Sequence, residues 1–179
     1  MTPIILRYGI IAGLIAAVPW LVYMLLLPAD AREMGGLVQG YLVMLVALSM
    51  VFLGIKHYRD CVLGGVIKFG PAFMLGLGIS AVASVLYMLG WELSQSVSKF
   101  DFADFYARSM FDAARAKGAS AEELARASAQ AQDFLRSYAN PFFRLPMTFL
   151  EMFPVGILAS LISAGLLRNA RFLPARHAG

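Results

Sequence analysis

Apolar positions run through four long stretches of this chain, and polar segments separate them. The stretches cover residues 8–29, 34–55, 69–91 and 145–167, each 22 or 23 residues long. The first three carry no charge, and the fourth carries one, Glu151. A bilayer core of about 30 Å is crossed by about 20 helical residues. The pattern predicts an all-α, polytopic membrane protein with four transmembrane helices, forming a single membrane domain over residues 1–179.

The first stretch has a second interpretation as a cleaved signal peptide. Arg7 precedes it, and residues 29–31 (ADA) form the small-x-small pattern that signal peptidase accepts. The apolar region of a signal peptide is about 7 to 15 residues long, whereas this stretch has 22 residues and is followed by three more. We therefore expect the first helix to be retained. Cleavage would leave three spans and place the new N-terminus on the other side of the membrane.

The polar segment between the third and fourth stretches, about residues 99–139, predicts an extramembrane helical hairpin. Gly118 stands where a left-handed C-terminal cap would end its first helix. Ser120 and Glu123 match a capping box at the start of the second helix. Asn140 precedes a proline and is expected to end that helix. The hairpin either binds a partner or gates a path, or it consists of two amphipathic helices lying on the ends of the spans, and we favour the second interpretation.

Composition agrees with a membrane protein and excludes several other classes. Apolar residues make up 60% of the chain and charged residues 15%, with a mean hydropathy of +0.71, whereas typical soluble domains are about 25% charged. The single cysteine, Cys61, excludes a disulfide scaffold. His57 and His177 are the only histidines, and no base accompanies the serines of the spans. We therefore assign no catalytic residue, no metal ligand and no cofactor, and the enzyme question stays open, leaning towards no.

Lysine and arginine are distributed unequally between the two sides that this topology creates. One side receives seven basic residues against the single acid Asp60, whereas the hairpin on the other side has no net charge. The seven are Arg7, Lys56, Arg59, Lys68, Arg168, Arg171 and Arg176. Because basic residues mark the cytoplasmic side, we expect cytoplasmic termini and an external hairpin in a bacterial inner membrane. The basic rim favours contact with anionic lipid head groups and not with nucleic acid.

Small residues recur at four-residue spacing in every span. Such ridges allow close helix packing in lipid, either within one four-helix unit, which we favour, or between two copies in a homo-oligomer. The ridges comprise Gly9, Gly13 and Ala17; Gly36 and Gly40; Ala72, Gly76, Ser80 and Ser84; and Gly156, Ser160 and Ala164.

Glu151 is the first candidate for a functional residue, because an ionisable group inside a span is a functional hypothesis by default. It lies about 25 Å from Arg168 along a helix, near the outer edge of the core. It is therefore an interfacial carboxylate, paired with Arg144, or part of a proton or cation site. In the second interpretation Pro154 breaks the helix, and Glu92 faces Glu151 at the same level.

A second candidate is the polar cluster that follows the second stretch. Lys56, Arg59 and Asp60 belong to it, together with a histidine and a tyrosine. Cations at a helix C-terminus interact favourably with the helix dipole and anchor the span among head groups. The alternative is an anionic lipid or phosphate site completed by the glycine pair at 64–65. We favour anchoring.

Three segments resemble a known family. They are residues 54–60 (GIKHYRD), residues 64–70 (GGVIKFG) and residues 140–156 (NPFFRLPMTFLEMFPVG), with Tyr87 and residues 90–92 (GWE) between them. Together they resemble a bacterial family of small four-span inner-membrane proteins classified only as a domain of unknown function. The resemblance covers essentially the whole chain and implies a helical membrane fold. It supplies no catalytic or binding residues, because the family has no assigned activity.

Two functions remain open at this stage. The favoured one is a non-enzymatic accessory or assembly component that contacts another membrane protein. The alternative is a small proton- or ion-coupled transporter that uses Glu151 and Glu92. The lipid bilayer is the one partner that the composition requires.

Overall fold

The computed structural model describes residues 1–26, 37–98 and 101–174, and all regular structure in these ranges is helical. Helices follow in the order α1 (Thr2–Leu26), α2 (Leu37–His57), a π-helical turn (Tyr58–Val62), α3 (Phe69–Ser98), α4 (Phe102–Ala116), α5 (Ala121–Tyr138) and α6 (Pro141–Leu167). Residues named above that fall outside the described ranges are Ala29, Asp30, Ala31, Gly36, Arg176 and His177.

Four helices are long and apolar enough to cross a membrane, which confirms the predicted fold class. The candidate spans are Thr2–Leu26, Gly40–Val62, Phe69–Val97 and Pro141–Leu167. α6 begins at Pro141, four residues before the apolar stretch, because Asn140 caps it: the Asn140 side chain accepts from the Phe142 amide at 3.0 Å. Asn140 therefore follows the end of α5, as expected, and also caps the start of α6.

α1 and α3 run parallel, and their contacts repeat every four residues. A Cβ added at Gly9 would lie 2.6 Å from Val82, and one at Gly13 would lie 2.5 Å from Leu86. One turn further, Ala17 packs against Gly90 in the same way. Larger residues at these positions would force the helix axes apart, so the small-residue ridge brings α1 and α3 close together within one chain.

α3 and α6 run antiparallel with an equally regular register. Gly76 packs against Ser160, and Ser80 packs against Gly156. The Ser80 hydroxyl lies 3.2 Å from the Gly156 carbonyl and 3.3 Å from the Ser160 hydroxyl, and both serines are fully buried. The small residues of α1, α3 and α6 thus serve packing within the four-helix unit, as the favoured interpretation predicted, whereas Gly40 of α2 is exposed and an added Cβ there would meet nothing within 4 Å. The register continues towards the hairpin, where Glu92 meets Arg144.

The hairpin forms with the caps that the sequence predicts. Gly118 has a φ of +73°, and its amide bonds back into the last turn of α4. The Ser120 and Glu123 capping box is complete at the start of α5. Aromatic rings then attach the hairpin to the bundle: Trp91 of α3 contacts Phe102 edge to face at 5.0 Å and donates its indole N–H to the Tyr138 hydroxyl at 2.8 Å. We call this end of the molecule the hairpin end, and the end near Arg59 the tail end.

Candidate functional site

A bidentate ion pair between α3 and α6 closes the hairpin end of the bundle. Arg144 Nε and Nη2 each lie 2.7 Å from an oxygen of the Glu92 carboxylate. The same guanidinium donates to the Tyr138 carbonyl at 3.1 Å and lies over its ring at 5.6 Å. Both charged groups are mostly shielded from solvent, with 21% and 26% of their side chains exposed. The pair fixes α3, α5 and α6 relative to one another.

This ion pair changes the sequence-based picture of both carboxylates. Arg144 binds Glu92 and not Glu151, because the antiparallel register places residue 144 opposite residue 92. Glu92 has both oxygens occupied by the guanidinium. Glu92 therefore pairs with Arg144 and does not share a proton with Glu151 in this structure.

The Tyr138 hydroxyl belongs to the same cluster, outside the membrane-spanning segments. Burial raises its pKa above the ordinary value near 10, and the hydrogen bond from Trp91 opposes that effect only in part. Tyr138 is therefore neutral at physiological pH. It serves as an acceptor for the indole and as a platform for the guanidinium.

Glu151 lies on α6 about 10 Å along the helix from Arg144, towards the middle of the span. Its carboxylate accepts one hydrogen bond, from the Tyr87 hydroxyl at 3.3 Å. The residue is exposed on the outside of the bundle, whereas its neighbour Met152 is fully buried. Of the carboxylates in the described parts of the four candidate spans, Glu151 alone has no cationic partner.

α6 is continuous through both of its internal prolines. Pro146 and Pro154 lie within one helix that runs from Pro141 to Leu167. The expectation of a broken helix around Pro154 is therefore wrong. Pro154 still lacks an N–H, so it removes one backbone hydrogen bond from the helix, but it does not create the pair of half-helix ends from which transporter ion sites are built.

A shallow groove on the outer face of α6 extends along the helix from Phe142 to Glu151. It has a volume of about 410 Å³. Aromatic and aliphatic side chains form most of its walls, and one of them, Phe142, is 90% exposed. The lining residues are Phe142, Phe143, Pro146, Met147, Leu150 and Glu151. We call this surface the α6 groove.

Arg59, at the tail end, is fully buried. Its guanidinium donates to the backbone carbonyls of Leu167, Phe172 and Leu173, the first two at 3.4 and 2.9 Å. Its Nε lies 2.6 Å from the Asp60 carboxylate, which Lys56 also contacts. Arg59 therefore holds the segment after α6 and is not available to lipid head groups.

The backbone around Arg59 is shaped for this burial. The π-helical turn at Tyr58–Val62 widens the helix at the arginine. Gly64 and Gly65 have φ values of +69° and +100°, a region that side chains disfavour, and the Gly65 amide returns to the Arg59 carbonyl at 2.8 Å. The glycine pair thus turns the chain back towards Arg59. In the sequence analysis, the alternative role of this pair was to complete a phosphate site.

Other chemistry is sparse in the described part of the chain. No three side chains of His, Cys, Asp or Glu come together there. Cys61 is an exposed free thiol. The exposed basic residues at the tail end are Arg7, Lys68, Arg168 and Arg171.

Comparison with known proteins places the chain in one family. No curated protein and no solved structure matches it. A family match extends over residues 7–169. This range includes the hairpin, three candidate spans in full and the first candidate span from residue 7 onwards. The chain belongs to the family described as protein of unknown function (DUF4199).

Proposed function

We propose that this protein is a non-enzymatic accessory component that binds a transmembrane helix of another membrane protein along the α6 groove. The observation that carries the proposal is the position of Glu151, which is exposed on the outside of the bundle with no cation beside it. Ionisable residues in spans ordinarily face the bundle interior, a water-filled cavity or a partner. An outward carboxylate in lipid therefore calls for a partner.

The interior of the bundle supports an accessory role better than transport. Ser80, Ser160 and Gly156 meet in direct contact between α3 and α6. Core residues above and below this level, such as Leu75 and Met152, have no exposed area. A pathway along this interface would require the small-residue packing to open.

The groove also indicates the chemistry of the partner. Its apolar walls fit aliphatic side chains of a second helix, and Glu151 fits a basic or amide side chain among them. A second copy of this chain is a poorer occupant, because a two-fold interface across this groove would bring the two Glu151 carboxylates together. We therefore propose a different protein whose span carries a hydrogen-bond donor.

Site-specific photo-crosslinking tests this function in the native membrane. A benzoylphenylalanine at Leu150, inside the groove, is expected to capture one defined membrane protein. The same group at Leu14, on the exposed face of α1, is the control and should capture none. Glu151→Gln should keep the product because an amide still hydrogen-bonds, and Glu151→Leu should reduce it severalfold.

The outcomes separate the accessory role from its rival. Equal products at Leu150 and Leu14, or a Leu150 product that Glu151→Leu does not change, would contradict docking at the groove. A transporter would instead lose ion-dependent activity with Glu151→Gln while inserting normally. A crosslinked product that contains only copies of this chain would show a homo-oligomer and would contradict a different protein as the partner.

For the membrane and orientation, we propose a bacterial inner membrane with cytoplasmic termini and an external hairpin. The excess of basic residues at the tail end supports this, and the exposed Arg7, Lys68 and Arg168 are suited to anionic head groups. The natural Cys61 is an exposed reporter at that end. An impermeant maleimide should label it only in inverted vesicles, whereas Ser109→Cys in a Cys61→Ser background should be labelled in intact spheroplasts.

A further inference from the structure

A cavity of 180 Å³ lies between α1, α2 and α3 near the hairpin end. Aromatic, aliphatic and small side chains line it: Ala16, Pro19, Trp20, Tyr23, Gly40, Val43, Met44 and Tyr87. Pro19 and Gly40 are exposed, so the cavity reaches the surface between α1 and α2. Because that surface belongs to two candidate spans, a lipid-soluble molecule has direct access to it.

The size of the cavity selects the size of its occupant. An engineered protein cavity of about 150 Å³ takes up one benzene ring, so 180 Å³ accommodates a single six-membered ring with substituents. Three of the lining side chains are aromatic, and Met44 adds a thioether, which makes favourable contacts with rings. The walls therefore suit a planar ring better than a flexible acyl chain.

One polar group at the cavity has no partner within the described residues. Trp20 lines the cavity, and its Nε1–H is buried without an acceptor, although its ring stacks on Trp91 at 5.4 Å and on Tyr23 at 5.6 Å. Buried indole N–H groups usually find an acceptor. The Tyr87 hydroxyl, which also lines the cavity, is not within hydrogen-bond distance of it either.

We propose that this cavity binds a lipid-soluble ring compound whose ring oxygen accepts the Trp20 N–H, as in the carbonyl-bearing head group of a membrane quinone. The ring stacks among Trp20, Tyr23 and Tyr87, and an apolar tail leaves between α1 and α2 into the bilayer. Since Tyr87 lines the cavity and also bonds Glu151, the occupant contacts the residue that orients the carboxylate of the α6 groove. The proposal does not depend on the partner protein.

The test uses the full chain in nanodiscs of fixed phospholipid composition, with decylbenzoquinone as the probe. Decylbenzene, which has the ring and tail but no oxygen, is the matched control compound. Trp20→Phe keeps an aromatic ring and removes the donor. Gly40→Leu adds a bulky side chain at the wall of the cavity, where an added Cβ meets nothing within 4 Å, so we expect the variant to fold.

Thermal unfolding and quenching of tryptophan fluorescence are the two readouts. Decylbenzoquinone should raise the Tm of the wild type and quench Trp20 and Trp91, and Trp20→Phe should require about tenfold more of it. Gly40→Leu, which retains both tryptophans, should show neither effect, and decylbenzene should raise the Tm only weakly. If decylbenzoquinone changes the Tm and the fluorescence of the wild type and Gly40→Leu equally, the compound only partitions into the lipid. If decylbenzene raises the Tm as much as decylbenzoquinone does, the Trp20 donor has no role in binding. Either result overturns the proposal.

Discussion

Replacing Arg59 by alanine is expected to destabilise the protein strongly. The Arg59 side chain is fully buried, bonds three backbone carbonyls of the segment around and after the end of α6, and pairs with Asp60. Removing one partner of a buried ion pair costs about 3–5 kcal/mol. Since total stabilities are about 5–15 kcal/mol, the variant should lose about a fifth or more of the free energy of unfolding.

Two variants show whether this loss comes from the hydrogen bonds or from the charge. Arg59→Lys keeps the charge, but an ammonium does not reproduce the planar guanidinium fork that reaches several carbonyls, so an intermediate loss is expected. Arg168→Ala removes an exposed charge at the same end and should change stability by no more than about 0.5 kcal/mol.

Unfolding in mixed micelles gives the free energies, and limited trypsin cleavage after Arg171 reports release of the tail. Arg59→Ala should be cleaved much faster than the wild type and the Arg168→Ala variant. Equal stability and equal cleavage rates for Arg59→Ala and Arg168→Ala would refute the view that Arg59 holds the C-terminal segment.

Other expected outcomes concern packing, the ion pair and the hairpin. Gly156→Val should lower the free energy of unfolding by about 1–3 kcal/mol through overpacking against α3, because a Cβ there would lie 2.6 Å from the Ser80 side chain. Gly165→Val, in open space on the same helix, should lower it little. Equal losses in the two variants would contradict the packing of α6 against α3. A double-mutant cycle with Arg144→Met and Glu92→Leu should give a coupling of about 1–2 kcal/mol, between the values for exposed and buried pairs, and strictly additive losses would refute it. Hydrogen bonds from Ser120 lower the pKa of Glu123, so its stabilisation of the hairpin is complete above the ordinary carboxyl range and is lost as pH falls through the lowered pKa. Circular dichroism against pH should show this loss in the wild type and a smaller one in Glu123→Gln.

Much of the fold was predictable because its causes are local. A run of apolar residues longer than 20 specifies a span, and Ser120, Glu123 and Gly118 specify the ends of the hairpin helices through bonds within one turn. The four-residue spacing of Gly9 and Gly13 likewise specified a packing face. These features need no knowledge of distant partners.

The side-chain partners of the candidate site were not predictable in the same way. Arg144 precedes Glu151 by seven residues, which places both on one side of α6. The register between α3 and α6 nevertheless places Arg144 opposite Glu92, with which it forms an ion pair. That register depends on the packing of Gly76, Ser80, Gly156 and Ser160, which becomes visible only when the helices are assembled.

Arg59 was assigned to the head groups because basic residues at a helix end normally lie there. Its burial depends on the tail, since the acceptors Phe172 and Leu173 lie more than 110 residues along the chain. One signal was present in the sequence: Asp60 directly follows Arg59, and a glycine pair follows soon after, a combination that turns the chain and neutralises the charge.

The most direct test of the account is the environment of residue 151 in the bilayer. A nitroxide label attached to Glu151→Cys in a Cys61→Ser background can be compared with labels at Leu158, two turns away on the same exposed face, and at the fully buried Met152. We predict that collisions with oxygen at position 151 match those at Leu158 and far exceed those at Met152. A label at 151 as shielded as the label at Met152 would place the carboxylate inside the bundle and contradict docking of a partner at the α6 groove.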